Sequence, residues 1–478
     1  MQQPDNFIEL IISKAEHEPE HVAFSYLDNQ CNVINQLSNQ QLHSRAVAIA
    51  NRIQQIASPT DRVLLLFPQG LEFIYAFVGV LYSGMIPVIA APPKNTQHNN
   101  LQLHHIQKII EETNSNIVLT STLALNEVVQ YFLESKALAT KIILSVEDID
   151  NDVSERILYP SIENNNLAYL QCTSTKGGES KLVMISHGAM NSTQDRIKKT
   201  YKLTSSSRSV SWLPHYHYLG LVFGILQPLY CGYRGYLYSP FDFYKNPLGW
   251  LDAITKYEVT FSGAPNFAYN MCIDQALDSH RPLNLSKWTT AYNSGEPVKR
   301  KTIDSFIKKF SHCGLQKTSL ASIFGLAEST CVVSGNHQTN IPSVIFRKSM
   351  KYLSENFIEK NHSGDKSLDV IRYGSTVFDT QVAIVVPGTR IKSGNLEPGE
   401  ILVRSTCNAT GYWNKPEETE EIFNVYLEGS NDGPYLRTGD LGFMEKGEVH
   451  VVGRLKNDRQ VSHSSVNISQ NKLVNEKI

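Results

Sequence analysis

Nowhere in the 478 residues does the chain stay apolar for the roughly 20 positions that span a bilayer. Its most apolar region, 63–93, is interrupted by Pro68, Gly70, Glu72, Gly79, Gly84 and Pro87, and reads instead as a buried strand, helix and strand. Residues 1–20 hold Asp5, Glu9 and mixed charge where a secretory signal needs a basic start and an apolar core, so a cytoplasmic location is expected. The seven cysteines lie far apart with no C-x-x-C pair, which argues against a zinc site or a disulfide framework and for reduced thiols. A net charge of -2 supplies no field that gathers nucleic acid or an anionic membrane, so neither is an expected partner and any anionic ligand must be held locally. Internal repeats are missing too.

What the chain does have is length for two or three domains and an ordinary balance of 41% hydrophobic and 19% charged residues. Apolar runs of strand length at 62–67, 86–90, 116–120 and 141–145 alternate with helical periods at 42–56 and 71–82. That alternation predicts a parallel α/β sheet. A second α/β stretch follows over about 209–335, and short β-rich pieces punctuated by Gly and Pro over about 374–453 predict a small β-barrel or sandwich. Residues 336–367 are polar and weakly periodic, an insertion or a lid. The Asn-, Ser- and Lys-rich tail 457–478 has too few apolar residues to pack.

Four segments carry groups suited to chemistry. In Gln171-Cys-Thr-Ser-Thr-Lys-Gly-Gly-Glu-Ser-Lys181, a strand enters a loop of hydroxyls, glycines and lysines, a composition that can surround phosphate; a polar surface turn reads the same way. Ser211-Trp-Leu-Pro-His-Tyr-His-Tyr-Leu-Gly220 places His215 and His217 at a turn before an apolar helix, where an imidazole either reaches a cleft or is a satisfied structural residue. The segments 262–269, Asn293-Ser-Gly-Glu296 and Ile323-Phe-Gly-Leu-Ala-Glu328 set polar groups after apolar runs, the ligand side of open α/β sheets or plain strand-to-helix turns. Glu328 is a carboxylate of the kind that shares magnesium with phosphate. In Tyr435-Leu-Arg-Thr-Gly-Asp440 and Val451-Val-Gly-Arg454, Asp440 can accept two ribose hydroxyls and Arg454 can add a planar fork of donors, or Asp440 merely caps a turn.

All four segments in this order resemble the adenylate-forming superfamily, and most of all the fatty acyl-AMP ligases. Their W-L-P-x-Y-H-D-M-G-L is similar to 212–221, their S-G-G-P-N-F-A-Y to 262–269, their G-L-A-E-A-T to 325–330 and their Y-L-R-T-G-D-L-G to 435–442. The resemblance implies a large N-terminal AMP-binding domain over 1–456, with α/β subdomains at about 1–205 and 206–335, a ligase-type insertion at 336–367 and a β subdomain at 368–456. It implies that Thr173, Ser174 and Lys181 lie in the phosphate loop, His217 at the junction of acyl group and phosphate, and Glu328 on magnesium. It further implies that Asn293, Ser294, Gly295 and Glu296, with Phe324 and Gly325, line the adenine pocket, and that Asp440 and Arg454 hold the ribose. The reaction implied is fatty-acid activation by ATP and Mg2+ to acyl-adenylate and pyrophosphate. The acyl group then passes to an acyl carrier protein or a polyketide or peptide synthase.

The chain departs from that pattern in places. The loop exchanges a glycine for Thr175 and brings in Glu179, with Lys176 available to offset it. Tyr218 stands at the position of the family's Asp, and Asn457 at that of the hinge Asp. Residues 457–478 do not resemble the family's C-terminal domain, so slowed turnover, or a remnant that binds nucleotide or acyl-adenylate without turnover, is the alternative expectation. An acyl-CoA ligase is another.

Overall fold

A computed structural model describes residues 6–93, 100–133, 138–151, 157–173, 181–276, 282–335, 343–346, 359–360 and 366–455. Its core is three sheets. The first runs Gly411–Tyr412, Lys181–Ser186, Leu167–Thr173, Ile86–Ala90, Arg62–Leu66, Ile117–Thr120, Ile142–Ser145, and its five strands from Leu167–Thr173 onward are parallel. These are the apolar runs read from the sequence. Arg62–Leu66, Ile86–Ala90 and Ile117–Thr120 are buried on both faces, as inner parallel strands flanked by helices must be, while the edge strand Ile142–Ser145 leaves Ile142 exposed.

The second sheet runs Ser334–Gly335, Leu320–Phe324, Thr290–Asn293, Phe261–Ala264, Arg208–Ser211, Arg234–Leu237, Val22–Leu27, Val33–Ser38. Strands Val22–Leu27 and Val33–Ser38 therefore belong with the later part of the chain, a correction to a division that keeps 1–205 together. The physical reason is pairing at long range: Phe24 sits opposite Gly235 in parallel register, and its ring packs against that glycine's open face.

Between the two α/β sheets lies helix Glu72–Tyr82, with every residue from Phe73 to Tyr82 buried. Against the second sheet, Trp212 stacks on Phe243 at 3.7 Å and Trp250 meets Trp288 edge-on at 5.3 Å. The Trp250 and Trp288 indoles donate to the Ser262 hydroxyl and carbonyl. Burial of such aromatics dominates core energetics.

The β-rich lobe is an antiparallel sheet ordered Ser343–Phe346, Lys366–Ser375, Glu448–Arg454, Leu436–Glu445, Gly399–Arg404, Gln381–Val385, with Glu359–Lys360 paired to Lys366–Ser375. Arg196, buried on helix His187–Thr200, ties this lobe to the rest through Asp379, Ser405 and Thr406. Most of the proposed insertion 336–367 and all of the tail 457–478 lie outside the described residues. Among the described residues, no helix is long and apolar enough to cross a membrane.

Candidate active site

Leu167–Thr173 and Lys181–Ser186 form an antiparallel pair that sets Thr173 opposite Lys181, and the Thr173 hydroxyl donates to the Lys181 carbonyl at 3.2 Å. Ser174 lies outside the described residues, as do Thr175, Lys176 and Glu179. Lys181 is almost wholly buried. Its ammonium is ion-paired to Glu418 and rests 4.6 Å from the centre of the Tyr412 ring. Tyr412, on the edge strand Gly411–Tyr412, donates its hydroxyl to Glu328 Oε1 at 2.9 Å. Glu418, Lys181, Tyr412 and Glu328 thus form one connected array.

Glu328 sits in a short 3-10 turn whose exit is left-handed, with φ of 53° at Thr330 and 124° at Cys331. A Cβ on the preceding Gly325 would lie 1.5 Å from the Cys331 carbonyl oxygen, so that fold-back requires glycine. The Ala409 amide donates to the Glu328 carbonyl at 2.8 Å and fixes the turn from the other side. Burial pushes the Glu328 carboxyl upward; the Tyr412 hydroxyl, Arg454 and Lys181 oppose that shift.

The histidine turn separates its two imidazoles by role. His215 is buried, stacks on Phe73 at 4.0 Å and pairs through Nδ1 with Gln69 Oε1 at 3.0 Å. His217 caps helix Tyr218–Leu221, its Nδ1 accepting the Leu219 amide. That bond makes Nε2 the protonated nitrogen, and Nε2 is buried without a protein partner. Burial lowers the His217 pKa to about 4, which keeps the ring neutral at pH 7. Gln171 anchors this turn to strand Leu167–Thr173 by donating to the Tyr216 carbonyl at 2.8 Å. Tyr218 is buried and donates to the Gly325 carbonyl at 3.4 Å, so a neutral hydroxyl joins the histidine and glutamate turns.

At the end of strand Thr290–Asn293, Asn293 Oδ1 and Ser294 Oγ are buried with no protein partner. Gly295 has φ of 88°, and a Cβ there would press to 2.6 Å from Leu219, which holds this turn against the histidine turn. Glu296 accepts the Phe267 amide in the first turn of helix Asn266–Gln275, where the helix dipole favours a carboxylate. Phe324 ends its strand edge-on to Tyr373 at 6.2 Å. Asp440 and Arg454 face each other across paired strands, with Oδ1 and Nε 3.8 Å apart. Burial lifts the Asp440 pKa to about 6, opposed by Arg454 and reinforced by Glu328.

The predicted residues that are described lie on strands and on the turns that follow them, and Tyr412, Glu418 and Gln171 join them unforeseen. Proline at 416 opening an acidic helix was a readable start signal for Pro416–Phe423, but nothing local names Lys181 as its partner. No group of three or more His, Cys, Asp or Glu able to hold a metal occurs among the described residues. The buried carboxylate of Glu328 is one oxygen ligand of the kind that shares a divalent ion with phosphate oxygens.

A fold of two α/β sheets and a β lobe, with a buried lysine, glutamate, histidine and aspartate contributed by separate strands and turns, defines an adenylate-forming architecture. The chain belongs to the AMP-binding enzyme family, whose pattern matches residues 12–413. Within it the likeness is to fatty acyl-AMP ligases. A medium-chain fatty-acid acyl-carrier-protein ligase of Moorena producens is 36% identical over 95% of this chain and 78% of its own. A 4-hydroxyphenylalkanoate adenylyltransferase of Mycobacterium tuberculosis is 30% identical over 94% and 74%. The crystal structure of a fatty acyl-adenylate ligase from L. pneumophila in complex with acyl adenylate and pyrophosphate superposes with a TM-score of 0.86 at 33% identity, over 95% and 78% of the two chains.

Proposed function

We propose that the protein activates a fatty acid with ATP and hands the acyl group to an acyl carrier protein or a carrier-bearing polyketide or peptide synthase. A fatty carboxylate oxygen attacks the α-phosphorus, the bond to the β-phosphate bridge oxygen breaks, and pyrophosphate leaves with that electron pair. The observation that carries the reading is the array of Lys181, Tyr412 and Glu328 beside buried, unsatisfied polar atoms on His217, Asn293 and Ser294.

Thr173, Ser174 and Lys181 serve the phosphates. The neutral His217 donates from Nε2 to an oxygen at the acyl–phosphate junction. Asn293, Ser294, Gly295 and Glu296, with Phe324 and Gly325, surround the base, and Asp440 with Arg454 takes the ribose hydroxyls. Glu328 holds Mg2+, which when bound neutralises charge on the phosphate oxygens. Catalysis is then positioning and charge stabilisation, without a protein nucleophile. None of the seven cysteines is in a disulfide, which supports a cytoplasmic setting.

Mass spectrometry of acyl-AMP after incubating the chain with Mg-ATP and fatty acids of varied length tests the reading. Lys181→Ala and Glu328→Ala are each expected to lower the initial rate by roughly 10² to 10³, the scale for removing one preorganised charge stabiliser. Measurable ATP binding with no acyl-AMP would replace this reading with that of a nucleotide-binding protein. Offering coenzyme A and a holo carrier protein side by side identifies the acceptor.

A further inference from the structure

Lys181 poses an electrostatic problem, because an ammonium buried on an aromatic face is costly unless an anion lies beside it. Glu418 supplies that anion. Its other oxygen lies 3.4 Å from Lys415 Nζ, so one carboxylate is shared between two lysines of unequal burial: the Lys181 side chain is 7% exposed and that of Lys415 21%. Glu418 itself is 37% exposed and stands in the first turn of Pro416–Phe423, where a negative charge is favoured whether or not it touches Lys181. Rotation of its side chain toward Lys415 needs no movement of the helix.

We propose that Glu418 sets the protein's affinity for polyphosphate: its carboxylate occupies Lys181 in the free protein and passes to Lys415 when a phosphate group takes its place. This rests on the reading that Lys181 serves the phosphates. A polyphosphate brings several negative charges to the ammonium and repels the carboxylate already there. Lys415 receives the displaced carboxylate, so the exchange strands no charge. The same contact that stabilises the empty fold therefore opposes ligand, and the two effects have opposite signs.

The test is calorimetric titration of the full chain with inorganic pyrophosphate, with the melting temperature of the ligand-free protein measured for each variant. Glu418→Gln is expected to lower the melting temperature yet tighten pyrophosphate roughly three- to tenfold, the scale for removing one partly exposed competing charge. Lys415→Ala is expected to weaken binding, and that loss should vanish in the double variant with Glu418→Gln, since the lysine then has no carboxylate to receive. Unchanged or weaker binding by Glu418→Gln overturns the proposal and makes Glu418 an orienting group for Lys181. A Lys415→Ala loss that persists in the double variant overturns it too, because Lys415 then acts on the anion directly. Lys181→Ala separates the two levels: if it binds pyrophosphate as tightly as wild type, the phosphate role of Lys181 itself is wrong.

Discussion

The two halves of the proposed site pair their polar groups in opposite ways. On the base side, Asn293 Oδ1 and Ser294 Oγ are buried with hydrogen-bonding capacity unused. On the phosphate side, Lys181 is matched by Glu418, and Glu328 accepts from Tyr412. Neutral groups can be left waiting at about 1–3 kcal/mol each, whereas an unpaired buried charge costs several times more. The base half thus holds neutral groups short of partners, whereas the charged groups of the phosphate half, Lys181 and Glu328, are paired within the protein and must exchange those partners.

That contrast can be broken at four points. The largest effect is expected at the joint between the halves: Gly325→Ala forces a Cβ into the Cys331 carbonyl and should cost more than about 4 kcal/mol in denaturant unfolding, or prevent folding. Next, Tyr412→Phe removes the donor to buried Glu328 and should destabilise the free protein by about 1–3 kcal/mol in the same assay.

Third is pH. The Asp440 pKa is raised in the fold to about 6, so its ionised form is the costly one: stability linked to it is fully present at low pH and lost as pH rises through about 6. Accepting ribose hydroxyls needs the ionised form. ATP affinity measured by titration should therefore fall up to about tenfold per unit below pH 6, and Asp440→Asn should flatten that slope. The smallest effect is Ser294→Ala. Deleting a hydroxyl that has no partner should leave unfolding within about 0.5 kcal/mol of wild type while weakening ATP several-fold. If Ser294→Ala destabilised the free protein as much as Tyr412→Phe, the two halves would not differ as described.

How much of this was legible beforehand follows the range of the interactions. The parallel strands at Arg62–Leu66, Ile86–Ala90 and Ile117–Thr120 were readable because burial on both faces writes an unbroken apolar run between turn residues. The home of Val22–Leu27 was not, since its sheet is chosen by pairing with Arg234–Leu237. Most proposed site residues could be named because they fall in segments that match the family's motifs, 293–296 and 323–328 after apolar strands besides, yet their partners could not. Glu418 lies in Pro-Glu-Glu-Thr-Glu-Glu, a pattern that reads as a solvated acidic face, and only the fold singles out one of those carboxylates for Lys181. Tyr218 read as a carboxylate lost; in the structure its hydroxyl bonds the Gly325 carbonyl, so the position keeps a polar link without a charge.

The edge strand that carries Tyr412 has a bearing on how the molecule comes into being. Gly411–Tyr412 covers the open side of Lys181–Ser186, and Trp413 and Asn414 both donate to the Glu112 carbonyl. During translation, at about 5 to 20 residues per second, the first sheet waits on the order of tens of seconds for that cover to emerge from the ribosome. Until then it shows a bare ladder edge of the sort that recruits other nascent chains. Nascent chains stalled before residue 411 should accordingly depend on chaperones, and release from them should coincide with the appearance of Gly411-Tyr-Trp-Asn414.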